Sequence, residues 1–207
     1  MLSSAEIAAR YRAVQAEVGP AVTIVAATKY LTVAEMAALL DAGVEVVGEN
    51  RAQDLEAKHA EYGSAFRWHF IGRLQSNKVK LVNRCCELVH SLDTTSAAAR
   101  LEVPALVQVN LAAEGSKAGV APAELAPFLR YGVRGLATMP PQADDPEASR
   151  VWFRRLAGLA AEHELRELSM GTTQDYRVAA EEGATYVRVG SVLFGDRRVY
   201  DPRYESR

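Results

Sequence analysis

The chain is short of cysteine, of histidine and of any surplus of charge. Of its 207 residues only two are cysteine, the neighbours Cys85 and Cys86. Adjacent cysteines rarely bridge one another, and two thiols do not make a zinc site. A disulfide framework and a structural zinc centre are therefore excluded. The thiols read as buried and reduced, which makes a cytoplasmic protein the expectation. His59, His90 and His163 sit at no metal-ligand spacing and receive no role. Lys and Arg number 24 against 26 Asp and Glu, for a formal net charge of −2. Neither nucleic acid nor a membrane surface is expected as the main partner. No apolar run reaches membrane-spanning length, and the opening "MLSSAEIAARYR" lacks a signal peptide's hydrophobic core.

What is present alternates. Ser3 and Glu6 have capping-box spacing; Ile7, Tyr11, Val14 and Val18 form an apolar stripe that Gly19 stops, which predicts a first helix. Strand 22–28 follows. A second capping box, Thr32 with Glu35, opens a helix to Ala42. Then come strand 44–47 and helix 51–62, strand 67–71 and helix 76–84, strand 87–92 and a stunted helical piece near 94–100. Strand 105–110 precedes helix 121–131, which Pro127 should kink. Strand 133–137 precedes helix 146–163, with Pro146 in its first turn. Strand 166–169 precedes helix 173–182, and strand 185–189 is the last. No linker or low-complexity segment interrupts the series. A doubly wound sheet would also alternate, but eight strand–helix units without a phosphate fingerprint after the first strand fit a closed (β/α)₈ barrel better. The expectation is one α/β domain, 1–207, a TIM barrel with an extra N-terminal helix.

Active sites of such barrels gather at the C-terminal ends of the strands. The run "VTIVAATKYL" puts Lys29 at one such end, after a strand covered on both faces. A desolvated ammonium is expensive. Lys29 is either a surface lysine past the strand end or a buried amine with a chemical task, and the residues alone leave the two readings even. After the seventh and eighth strands lie "SMGTTQDY" and "VRVGSVLFG", where barrels often hold a phosphate on backbone N–H groups. Neither loop itself carries a negative side chain. Each alone reads as ordinary helix capping, by Thr172 or Thr173 in the first case; together they favour a phosphate. A lysine of depressed pKa is the usual Schiff-base nucleophile, and pyridoxal phosphate is the aldehyde that carries a phosphate.

The blocks "AATKY", "VGENRAQD", "WHFIGRLQSNK", "LVQVNLAAEGSKAGV", "GLATMPP" and "LSMGTTQDYRVAAEEGATYVRVGSVLFG" resemble, in order, the pyridoxal phosphate homeostasis protein family, over roughly residues 5 to 196. That family is similar to the barrel domain of alanine racemase and of ornithine decarboxylase. The resemblance implies that Lys29 holds pyridoxal 5'-phosphate as an internal aldimine. It implies that Ser169, Gly171, Thr173, Gly190 and Ser191 fall in the phosphate-binding loops, and that Arg188 faces the pyridine nitrogen. Asn50 and His69 match residues near the cofactor; Asn50 also reads as a helix N-cap, and His69 as a hydrogen-bonded core histidine. The chain departs from the family at "SMGTT" for "SMGMS", at "GLATM" for "GLMTM", and in a shortened segment around 94–103. The first two should loosen the pocket, and the third bears on the neighbouring loop.

The resemblance implies a cytosolic barrel, monomeric or weakly associating, that holds the cofactor, contacts apo-enzymes transiently and influences vitamin B6 and amino-acid balance without a robust reaction of its own. An amino-acid racemase or decarboxylase is the enzymatic alternative, and a barrel for another phosphorylated metabolite is the plainer one. Racemisation needs a second acid/base group opposite Lys29. The sequence ends a dozen residues after Gly195, so no further domain is expected to supply one. Tyr30 and Tyr176 are the nearest candidates by position.

Overall fold

The computed structural model describes residues 2–113 and 118–195. Lys117 and the rest of segment 114–117, within one of the family-like blocks, lie outside the described residues, as does 196–207. Helix α1 (Ser4–Val18) precedes β1 (Thr23–Ala27), α2 (Met36–Asp41), β2 (Val46–Glu49), α3 (Ala52–Tyr62), β3 (Arg67–Phe70), α4 (Val79–Cys85) and β4 (Leu88–Leu92). Then follow α5 (Thr95–Ala98), β5 (Ala105–Gln108), α6 (Ala126–Leu129), β6 (Gly135–Ala137), α7 (Arg150–Glu162), β7 (Glu167–Thr172), α8 (Tyr176–Glu181), β8 (Tyr186–Val189) and α9 (Ser191–Phe194). The eight strands pair in sequence order, all parallel, and β1 closes on β8 through the register Val25↔Arg188. This is a (β/α)₈ barrel with α1 added in front.

Local chemistry explains most boundaries. The capping box at Ser3 is complete, with Glu6 accepting from the Ser3 N–H at 2.8 Å. Thr32 and Glu35 make the second box. Apolar stripes of the helices pack on the outward-facing strand residues, so the main core lies between sheet and helices and includes Ile24, Val47, Trp68, Val107 and Val187. Pro127 breaks its segment into a 3₁₀ turn at Pro122–Glu124 and the short α6, as a missing donor requires.

Several element ends differ from the sequence reading by two residues or more, and three of them bear on the site. The second strand is Val46–Glu49, not 44–47, because the Val44 N–H turns back to Leu39 O after Gly43 and delays the strand. The seventh runs to Thr172 instead of stopping at 169. Gly171, at φ 90°, absorbs a register shift against β8 between Ser169 and Thr172, the behaviour of a glycine bulge. Consequently the helix begins at Tyr176, not 173, and its N-cap position falls to Asp175.

The candidate site at the barrel mouth

One cavity of about 570 Å³ opens at the C-terminal ends of the strands, a size typical of small-molecule sites. Lys29 enters it from the turn after β1. It is partly buried, with Nζ 4.8 Å from the Tyr30 ring centroid. Asn50 lines the cavity after β2; the N-cap of α3 is Arg51, so Asn50 is not the cap. Gly72 follows β3, where any Cβ would meet the Asn50 carbonyl oxygen at 1.9 Å, so the two backbones touch. Across the mouth stand Met139 to Ala143 after β6, and Thr172 to Asp175 at the end of β7.

Arg188, Gly190 and Ser191 complete the wall from β8 and the start of α9. Arg188 is 7% exposed and donates from Nη2 to Thr138 O at 2.9 Å. Burial lowers its pKa to about 10, with Asp175 pulling the other way; the guanidinium therefore remains charged near neutrality. Among the described residues no carboxylate lies within ion-pair distance of it. Thr173 Oγ1 accepts the Gly190 N–H at 3.1 Å and the Val192 N–H at 3.5 Å, so this hydroxyl ties the two loops together. Gln174 donates to Ala143 O, tying the β7 loop to the one after β6.

Six of the residues named from the sequence thus meet in one place: Lys29, Asn50, Thr173, Arg188, Gly190 and Ser191. His69, Ser169 and Gly171 do not line the cavity. Gly171 has a packing reason to be glycine, since a Cβ there would lie 2.5 Å from Ala179 Cβ and 3.0 Å from Tyr176 Cα. His69 and Ser169 meet each other through His90, a residue to which the sequence assigns no role. His90 Nε2 lies 2.9 Å from His69 Nδ1, and His90 Nδ1 lies 2.7 Å from Ser169 Oγ. The chain is buried, against the Tyr186 ring. Burial and the Arg67 charge push His69 down to about 3. Burial, His69 and Arg188 hold His90 well below the ordinary imidazole range. Both rings are neutral near pH 7, and His69 Nε2 has no partner among the described residues.

The β7 loop differs in charge from the sequence expectation. It does carry a negative side chain: Asp175 lines the cavity and is 7% exposed. Its Oδ1 accepts from the Thr172 N–H at 2.7 Å and from the Thr172 hydroxyl at 3.0 Å. Reading the helix from residue 173 placed Asp175 on a helical turn and hid it from the loop.

Residues 2–198 match the family described as alanine racemase, N-terminal domain. A pyridoxal phosphate homeostasis protein of Aquifex aeolicus is 40% identical over 75% of this chain and 78% of its own length. The chain belongs to the pyridoxal phosphate homeostasis protein family. Another relative, PipY of Synechococcus elongatus, has been solved with PLP bound; it is 32% identical and superposes with a TM-score of 0.84 over 91% of this chain and all of its own. Alanine racemase from Corynebacterium glutamicum shares the fold at 14% identity, with a TM-score of 0.72; 99% of this chain covers 64% of that enzyme.

Proposed function

We propose that this protein, acting as one domain over residues 1–207, binds pyridoxal phosphate covalently through Lys29 and takes part in its homeostasis as a cytosolic monomer that passes the cofactor to apo-enzymes. The observation that carries the reading is a single cavity combining a partly buried primary amine, Lys29, with a buried guanidinium, Arg188, that makes no direct ion pair with a carboxylate among the described residues. Those groups fit an aldehyde that also bears an anionic phosphate and a ring nitrogen. Asn50, Thr173, Gly190 and Ser191 share the wall and are proposed as its further contacts. Gly190 permits a close approach there, with Ala27 O only 3.3 Å from where its Cβ would be. His69, Ser169 and Gly171 are proposed to support the pocket from below. When bound, the cofactor supplies an electrophilic carbonyl and an electron-accepting ring. Lys29 would supply the primary amine that takes up the aldehyde, and the other lining residues would hold the cofactor against it. Free, buried thiols at Cys85 and Cys86 are in keeping with a reducing compartment.

Two features support holding over turnover. A racemase needs a second acid/base group opposite the lysine, and the two tyrosines considered from sequence are poorly placed for that. Tyr30 sits against Lys29 itself. Tyr176 donates to Glu17, on the outer side of α8, and is absent from the cavity wall. Arg188, charged near neutrality, would donate to the ring nitrogen and keep it from taking a proton of its own, which makes the ring a weaker electron sink. The test is borohydride reduction of the protein incubated with pyridoxal phosphate, followed by peptide mapping. The adduct should map to Lys29 and vanish in Lys29→Ala, with the fold retained. A reduced adduct on Lys78 or Lys80 instead would sink the proposal.

A further inference from the structure

Lys58 lies on α3, where a lysine ordinarily points to solvent, yet it is 3% exposed. Its Nζ donates to Glu49 Oε1 at 2.5 Å and to the Thr28 carbonyl oxygen at 2.8 Å. Thr28 immediately precedes Lys29 and is fully buried. The Thr28 hydroxyl donates to the same Glu49 oxygen at 2.5 Å, and its N–H donates to Gly48 O at 3.0 Å. The Thr28 carbonyl that receives the Lys58 ammonium also accepts the Leu31 N–H at 2.8 Å. That last bond closes the turn with Lys29 and Tyr30 at its centre. Every polar group of Thr28 is engaged, and two of its bonds converge on one buried ion pair.

Such a pair is a poor device for stability alone, because desolvation of both charges consumes most of the Coulombic gain. Here the offset is also incomplete: Glu49 Oε2 has no partner among the described residues. Geometry supplies the missing reason. We propose that Lys58 is a positioning residue which, with Glu49, clamps Thr28 and so fixes the turn that aims Lys29 into the cavity. The inference rests on the reading that Lys29 captures the aldehyde. Lys58 touches none of the reacting atoms; it restricts the directions in which the Lys29 stem leaves the strand end, and capture speeds up because fewer orientations must be searched.

The test compares wild type with Lys58→Met and with the double variant Lys58→Met/Glu49→Leu. The single change strands a buried carboxylate and should lower Tm. The double change removes both charges and should recover most of that loss, as apolar replacement of buried pairs commonly does. Capture is read as the rate of borohydride-fixed adduct on Lys29, inorganic phosphate affinity is measured in parallel, and hydrogen exchange follows the Leu31 amide. In the double variant capture should slow about tenfold or more and the Leu31 amide should exchange about tenfold faster, with phosphate affinity within about twofold of wild type. Capture at the wild-type rate overturns the proposal, and so does a parallel loss of phosphate affinity, which would mark general loosening. Thr28→Val keeps the side-chain shape, leaves the ion pair in place and removes the hydroxyl's contacts with Glu49 and with the Gly48 carbonyl. Should the double variant fail to fold, slower capture by Thr28→Val supports the clamp and unchanged capture overturns it. A wild-type protein without any Lys29 adduct removes both this proposal and the functional reading; a wild-type adduct with an indifferent double variant removes this one alone.

Discussion

Gly171→Ala separates packing from ligand contact at a position where the two make opposite forecasts. The backbone there has φ 90°, and a Cβ would lie 2.5 Å from Ala179 Cβ and 3.0 Å from Tyr176 Cα, both on α8. Neither neighbour is the far end of a flexible chain, so α8 itself must move away from β7. The left-handed conformation costs roughly 1–2 kcal/mol for a residue with a Cβ. Overpacking a filled interface adds roughly 1–3 kcal/mol. The sum, about 2–5 kcal/mol, corresponds to a Tm drop of roughly 4–20 °C for a protein of this size. Gly158→Ala is the control: Gly158 is in the exposed face of α7 and nothing lies within 4 Å of its Cβ position, so helix propensity should raise stability by about 1 kcal/mol. Urea titrations of both variants read the stability, and inorganic phosphate titrations of the folded protein read the site. The expectation is a large stability loss for Gly171→Ala with phosphate affinity changed little. Wild-type stability combined with abolished phosphate affinity would refute the packing argument and make Gly171 a ligand contact.

Two further outcomes are expected. In the unfolded chain His69 and His90 take up protons as pH falls through about 6.5, whereas in the folded barrel both stay neutral far below that, His69 to about 3. The unfolded state then binds more protons, so stability must fall as pH drops below about 6.5, by about 2 kcal/mol from His69 between pH 7 and pH 5, with His90 acting in the same direction. Urea midpoints across that range should show it, and a His69→Gln/His90→Gln protein that keeps the full slope would place the dependence elsewhere. Finally, incubation of the pyridoxal phosphate-loaded protein with L-alanine in heavy water should give, at most, slow Cα deuteration with retained configuration; many turnovers to the racemate would show that a second base faces Lys29.

Much of the fold was legible because its signals are local. The Ser3–Glu6 and Thr32–Glu35 boxes, the glycine stops and the strand–helix alternation each depend on residues within one turn or one strand. Strand ends were less legible. Val44 looks like strand but its N–H is taken by Leu39 O, and Gly171 looks like a loop but lies in β7 as a bulge. Apolarity alone does not say where a ladder starts. The mouth was half legible: Lys29, Asn50, Thr173, Arg188, Gly190 and Ser191 sit at strand ends, which barrel topology gathers.

By itself, then, the sequence determined an eight-unit alternating chain with a lysine at the end of its first strand, since hydrophobic period and capping chemistry act over a few residues. Only the tertiary structure decided which polar side chains are buried and with whom. Ser169 and His90 are 79 residues apart and meet because β7 and β4 face the same barrel interior. Lys58 reads as a surface residue of a helix until α3 docks beside β2 and leaves Glu49 and Thr28 as its partners. Those contacts follow from how the sheet closes on itself and how the helices pack around it, and no local pattern encodes a distance set by closure.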